Sequence, residues 1–90
     1  MQVQFTKNIQ FTRLVKAEGR LREFNFRKYR GEEGELLFSV DVVDDRGNRI
    51  LFKMKKEDGG WKIIPAPLPA WVSGNEKNFN DLIDEELGQA

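Results

Sequence analysis

The stretch from Leu36 to Ile63, LLFSVDVVDDRGNRILFKMKKEDGGWKI, decides how this chain folds. Within it Leu36, Phe38, Val40 and Val42 alternate with Leu37, Ser39, Asp41 and Val43, the period-two pattern of a strand with two unlike faces. Asp45-Arg46-Gly47 reads as a three-residue loop with Gly47 in the left-handed conformation of a bulge. Such a loop sets Val42 opposite Ile50, Val40 opposite Phe52 and Phe38 opposite Met54. Asp58-Gly59 is a strong two-residue hairpin signal, and it places Met54 opposite Ile63 and Lys56 opposite Trp61. Side chains opposite one another in an antiparallel pair share a face. Each turn therefore keeps the apolar parity on one side of a growing sheet.

Working outward, residues 21–30 put Phe24 and Phe26 on the even side, and the strand ahead of them, about residues 3–17, carries Val3, Phe5, Ile9, Phe11, Val15 and Ala17 on the odd side. Glu18-Gly19 as a two-residue turn sets Val15 opposite Arg22 and Phe11 opposite Phe26, so apolar again meets apolar. The five strands are expected at about 3–17, 21–30, 35–43, 49–56 and 61–64. Pro65, Pro67 and Pro69 stiffen a crossing segment, and their spacing of two is not the PxxP ligand pattern. Ser73-Gly74-Asn75-Glu76 reads as a capping box opening a helix over about 74–87, with Phe79, Leu82, Ile83 and Leu87 at helical spacing and Gly88 ending the run. One apolar helix stripe and one apolar sheet face must bury each other. The expected fold is α+β, one domain over residues 1–90: a five-stranded antiparallel meander, flat or curled into a half-barrel, with the C-terminal helix on its apolar face.

Composition excludes much chemistry. The 90 residues contain no Cys and no His, which removes disulfides, the usual zinc ligands, thiolate or Ser-His nucleophiles and imidazole acid/base catalysis. Asp41, Asp44 and Asp45 lack the alternating spacing of a calcium loop and read as a solvated turn. No cofactor, no metal and no enzymatic activity are expected. No stretch approaches the roughly twenty apolar residues of a membrane span, and polar residues follow Met1, so a cytoplasmic protein with no membrane partner is expected.

The formal net charge is zero, but it is distributed in blocks. Residues 1–30 hold eight basic and two acidic side chains, a net of +6, and residues 31–45 hold six acidic and none basic. Residues 46–62 carry six basic and two acidic, and residues 63–90 one basic and five acidic. A basic first third with interleaved aromatics suggests a single-stranded nucleic-acid groove. The order of strands then helix also resembles, in topology, the single-strand-binding repeats of the Pur-alpha type, although their motif residues are absent. The registers place Phe11, Phe24 and Phe26 in the core, however, and leave Tyr29 as the one aromatic of that third on the open face. Nucleic-acid binding is therefore the second reading. RILFKMKKEDGGWKII, residues 49–64, resembles the closing hairpin of cystatin-like ligand-binding domains, which carry their long helix before the sheet rather than after it.

The open face should present Asn25, Arg27, Tyr29, Ser39, Asp41 and Lys53, with Thr12 and Leu51 beside them, as a polar surface of mixed sign. Arg27, Asp41 and Lys53 are expected to pair weakly with one another. The acidic helix residues Asp81, Asp84, Glu85 and Glu86 should approach Arg13, Arg22 and Lys28, and Lys56 should lie over the Trp61 indole. The first strand is a sheet edge, which invites pairing with a second copy unless it is covered. The first reading is thus a small non-catalytic module that binds a protein partner or a ligand through its sheet face and associates with itself.

Overall fold

The computed structural model describes residues 9–88. The part of the first expected strand that precedes Ile9, with Val3 and Phe5, lies outside the described residues. Five strands, β1 (Gln10–Ala17), β2 (Arg20–Arg30), β3 (Leu36–Val43), β4 (Arg49–Glu57) and β5 (Gly60–Ile63), pair antiparallel in sequence order. The sheet curls into a half-barrel. A helical turn, α1 (Ala70–Ser73), and a longer helix, α2 (Glu76–Gly88), follow.

The turn chemistry acts as the sequence implies. Glu18 and Gly19 both have positive φ, as do Asp58 and Gly59, so both two-residue hairpins match the right-handed twist of their strands. Gly47 sits at φ 83°, and the Asp44 carboxylate accepts hydrogen bonds from the Arg46 and Asn48 amides. Residues 31–35 form a second loop of the same kind. There Gly34 at φ 84° donates to the Gly31 carbonyl, and the Gly31 amide donates to Glu35. These turns produce the registers read from the pattern: Phe11 faces Phe26, Val40 faces Phe52, and Met54 faces Ile63.

One face of the sheet is the inner face. It buries Val15, Ala17, Phe24, Phe26, Phe38, Val40, Val42, Phe52, Met54 and Trp61 against Val72, Phe79 and Ile83. Phe79 is the hub of helix docking, with its ring 5.0 Å from Phe24, 5.5 Å from Phe52 and 6.0 Å from Phe26. A buried ring of this size contributes several kcal/mol through transfer and packing together, which holds α2 in place.

Four local expectations need correction. The helix starts at Glu76, not 74, and the capping box does not form. Pro69 opens α1 instead, and the Ser73 hydroxyl turns back to the Pro69 carbonyl. The Glu76 carboxylate accepts the Ile63 amide at 2.8 Å, because that amide points off the edge of β5 and has no strand beyond it. Leu36 and Leu37 exchange roles: Leu36 is 43% exposed at the end of the sheet, whereas Leu37, on the outer face, is buried in a depression that it shares with Tyr29, Lys53 and Ile64. Lys56 does reach the Trp61 indole, at 5.7 Å, but Trp61 is a core residue packed edge-on against Phe38 rather than an exposed ring. Finally, Arg13 pairs with Glu85 and Glu86 at 2.8 Å, but Arg22 turns away from the helix. It is buried beneath Trp71, with its guanidinium 4.5 Å from the indole centre and within ion-pair reach of Asp45 and Glu18.

Candidate functional site

Residues 25, 27 and 29 of β2, 39 and 41 of β3, and 53 of β4 all share the parity that points away from the helix, so the fold brings the six expected side chains to one outer face. Asn25 stands opposite Asp41, Arg27 opposite Ser39 and Ser39 opposite Lys53. Two adjoining shallow depressions cover the set. Asn25, Arg27, Ser39 and Asp41 line one of about 400 Å³, and Arg27, Tyr29, Ser39 and Lys53 line the other, of about 460 Å³.

The face divides into two rows with different electrostatics. In the first, Thr12 donates its hydroxyl to the Asn25 side-chain oxygen at 2.7 Å, and the Asn25 amide donates to Asp41 at 3.0 Å. Arg49 then donates to the second Asp41 oxygen at 2.9 Å, so the chain of bonds crosses four strands. Burial alone would raise the Asp41 pKa. The bonds from Asn25 and Arg49, with the charges of Arg49 and Arg27, outweigh it and hold the carboxyl below the usual range. Asp41 is thus a fixed anion with both oxygens engaged, the opposite of a carboxyl poised to give up a proton near neutrality.

In the second row, Arg27, Ser39 and Lys53 are direct cross-strand neighbours. Arg27 and Lys53 are exposed, and Lys53 extends over the Tyr29 ring at 5.8 Å. The expected mutual pairing of Arg27, Asp41 and Lys53 does not occur, because Arg49 takes Asp41 first. Among the described residues neither Arg27 nor Lys53 has a carboxylate within 4 Å. Further along the same face Lys55 stands opposite Lys62, a like-charge pair that follows from the Asp58-Gly59 register. Lys55 reaches Glu57 at 3.2 Å.

The acidic residues lie elsewhere. Five of the six charged side chains of α2 are acidic; Glu76 is taken by the Ile63 amide, and among the described residues Arg13 is the one sheet cation that pairs with them. The charge is therefore not compensated between neighbours throughout. The outer sheet face is enriched in cations and the helix in anions. Among the described residues there is no cluster of three or more potential metal ligands, and no helix is long and apolar enough to cross a membrane. No protein-family model, curated protein or solved structure matches the chain.

Proposed function

We propose that this chain is a small non-catalytic binding module that engages a protein partner through the outer face of its sheet. The observation that carries this reading is the cross-strand row Arg27, Ser39 and Lys53, two exposed cations flanking a hydroxyl, with Tyr29 beside them and no neutralising carboxylate among the described residues. The inner face is consumed by the core and by α2, so recognition falls to the other side. Catalysis finds no support, since Asp41 is held ionised by its bonds and Glu23, on the same face, is exposed rather than in the buried environment that raises a carboxyl pKa toward neutrality. Single-stranded nucleic acid is disfavoured because Phe11, Phe24 and Phe26 are turned inward, leaving Tyr29 without the further exposed rings that base stacking uses.

A photo-crosslinking phenylalanine analogue placed at Leu51, on the outer face, or at Lys77, on the helix, tests the reading in cells of the source organism. A discrete adduct from position 51 and none from 77 is the expected result. Adducts from 77 alone, or from neither position, would refute it.

Self-association through β1 is the second part of the proposal, and a separate observation favours it. The amides of Trp61 and Ile63 at the β5 edge are taken by Asn80 and Glu76 of α2. Along β1 no described residue takes the outward backbone groups of Gln10, Thr12, Leu14 and Lys16, and Leu14 and Leu21 beside them are about 60% exposed. Sedimentation equilibrium should show a reversible dimer that Leu14→Lys abolishes. A strictly monomeric wild type at high micromolar concentration would remove this part.

A further inference from the structure

We infer that the occupant of the outer face is an extended, acidic segment of a partner protein, its carboxylates held by Arg27 and Lys53 across Ser39; this rests on the outer face being the binding surface.

The spacing fits such a segment. Adjacent strands lie about 4.8 Å apart, so the stems of Arg27 and Lys53, two strands apart, rise roughly 10 Å from each other. Same-side side chains of an extended peptide repeat at about 7 Å, and the long Arg and Lys stems close the remaining gap. The Ser39 hydroxyl stands between the two cations and can donate to a carboxylate oxygen there. Tyr29, half-buried beneath the Lys53 ammonium, offers a flat apolar flank for the peptide backbone.

Among the described residues no carboxylate pairs with Arg27 or Lys53, and the cationic surface continues into β5. Like charges directly opposite on a sheet are destabilising, yet Lys55 faces Lys62, and among the described residues Lys62 has no carboxylate within 4 Å. Glu57 offsets Lys55, so Lys62 is the cation of this pair that extends the positive surface. The anions nearby frame the row rather than neutralise it. On the Tyr29 side, along the strands, lies the loop with Glu32, Glu33 and Glu35, where Glu35 accepts the Glu33 amide, and on the opposite side Asp41 is already bound by Asn25 and Arg49. Fixed negative charge on both sides confines an acidic occupant to the single cationic row between them and disfavours a broad, uniformly charged polyanion, which favours an extended protein segment over a nucleic acid.

The test uses an acidic peptide alternating Glu and Ser and a mixed-sequence single-stranded oligonucleotide, each titrated into the 15N-labelled chain at low salt. The peptide should produce saturable shifts centred on the amides of Arg27, Ser39 and Lys53. Arg27→Gln with Lys53→Gln should weaken its binding by about tenfold or more, while Lys16→Gln with Arg46→Gln, an equal loss of charge elsewhere, should change it by less than about threefold. Preserved amide spectra establish that both double variants fold. Absence of saturable peptide shifts, equal weakening by the two double variants, or tighter binding of the oligonucleotide would overturn the inference. A crosslink at Leu51 alongside any of these results would leave the outer face as the binding surface and remove only the acidic occupant.

Discussion

Arg22 offers a sharp test of how this small domain is held together, because it is a charge with only about 4% of its side chain exposed. Its guanidinium lies flat against Trp71 at 4.5 Å, bonds Asp45 at 3.1 and 3.2 Å, and donates from Nε to the Ala17 carbonyl at 3.2 Å. The two carboxylates near it, on Glu18 and Asp45, are themselves more than half exposed. Released from Arg22, they would return to water at little cost. The Ala17 carbonyl faces Arg20 across the hairpin, so it would not be orphaned. What remains is packing. Arg22→Ala removes two buried methylenes, at about 0.8 kcal/mol each. It also removes a desolvated cation over an indole, worth about 1–2 kcal/mol. The expected destabilisation is about 3 kcal/mol, which at an m-value near 1 kcal/mol/M moves the urea midpoint down by about 3 M. Arg22→Met keeps one methylene and sets a thioether in place of the other against Trp71, so it should cost only about 1 kcal/mol, consistent with the modest net value of many buried ion pairs. Equilibrium urea unfolding followed by tryptophan fluorescence reads both variants. Equal destabilisation by Met and Ala would show that charge pairing, rather than packing, is what Arg22 supplies.

Three further outcomes follow from the same structure. Gly47→Ala meets no steric obstacle, since no atom lies within 4 Å of the added methyl, but it forces a side chain to φ 83°; a loss of about 1 kcal/mol, or about 4–8 °C in Tm, is expected by thermal denaturation. The carboxyl pKa values of Asp44, depressed chiefly by the Asn48 amide, and of Asp45, depressed chiefly by the Arg22 hydrogen bond, lie below their unfolded values, as does that of Asp41. The stability these groups contribute is complete above about pH 4 and is lost as pH falls through the depressed values, so urea midpoints should be level from pH 7 to 5 and decline below about 4. Asn80→Ala deprives the Trp61 amide of its acceptor at 2.6 Å, and hydrogen exchange should accelerate at Trp61 while Lys62, whose amide turns inward to β4, stays protected.

The registers were legible because each rests on local chemistry. Asp58-Gly59 adopts positive φ with residues suited to it, Glu18-Gly19 does so with Gly19 as its favourable member, and alternation in Phe38–Val42 tells which side is apolar. The β2–β3 connection carries a weaker turn signal in sequence, although Gly31-Glu32-Glu33-Gly34-Glu35 closes by the same bonding as Asp44 to Asn48. Its Gly34 was the signal. All six expected face residues came together for the same reason, since parity within a strand and register between strands suffice to place them.

Pairings among long side chains were beyond that logic. Asp41 has Arg27, Lys53 and Arg49 within a few residues of register, and the sequence ranks none of them; only the folded sheet gives Asp41 to Arg49 and leaves Arg27 and Lys53 without a carboxylate among the described residues. Glu76 looked like the partner of a helix cap, and Ser73-Gly74-Asn75-Glu76 permits that bond. The competing acceptor role, satisfying the Ile63 amide at the edge of β5, exists only once the helix lies beside that strand. The sequence by itself determined the strands, their order, their faces and the one apolar helix stripe, because each is encoded over a few neighbouring residues by torsional preference and periodicity. The tertiary structure alone decided which charges are spent within the molecule and which remain for a partner, because a flexible charged side chain chooses among acceptors brought near it from distant parts of the chain.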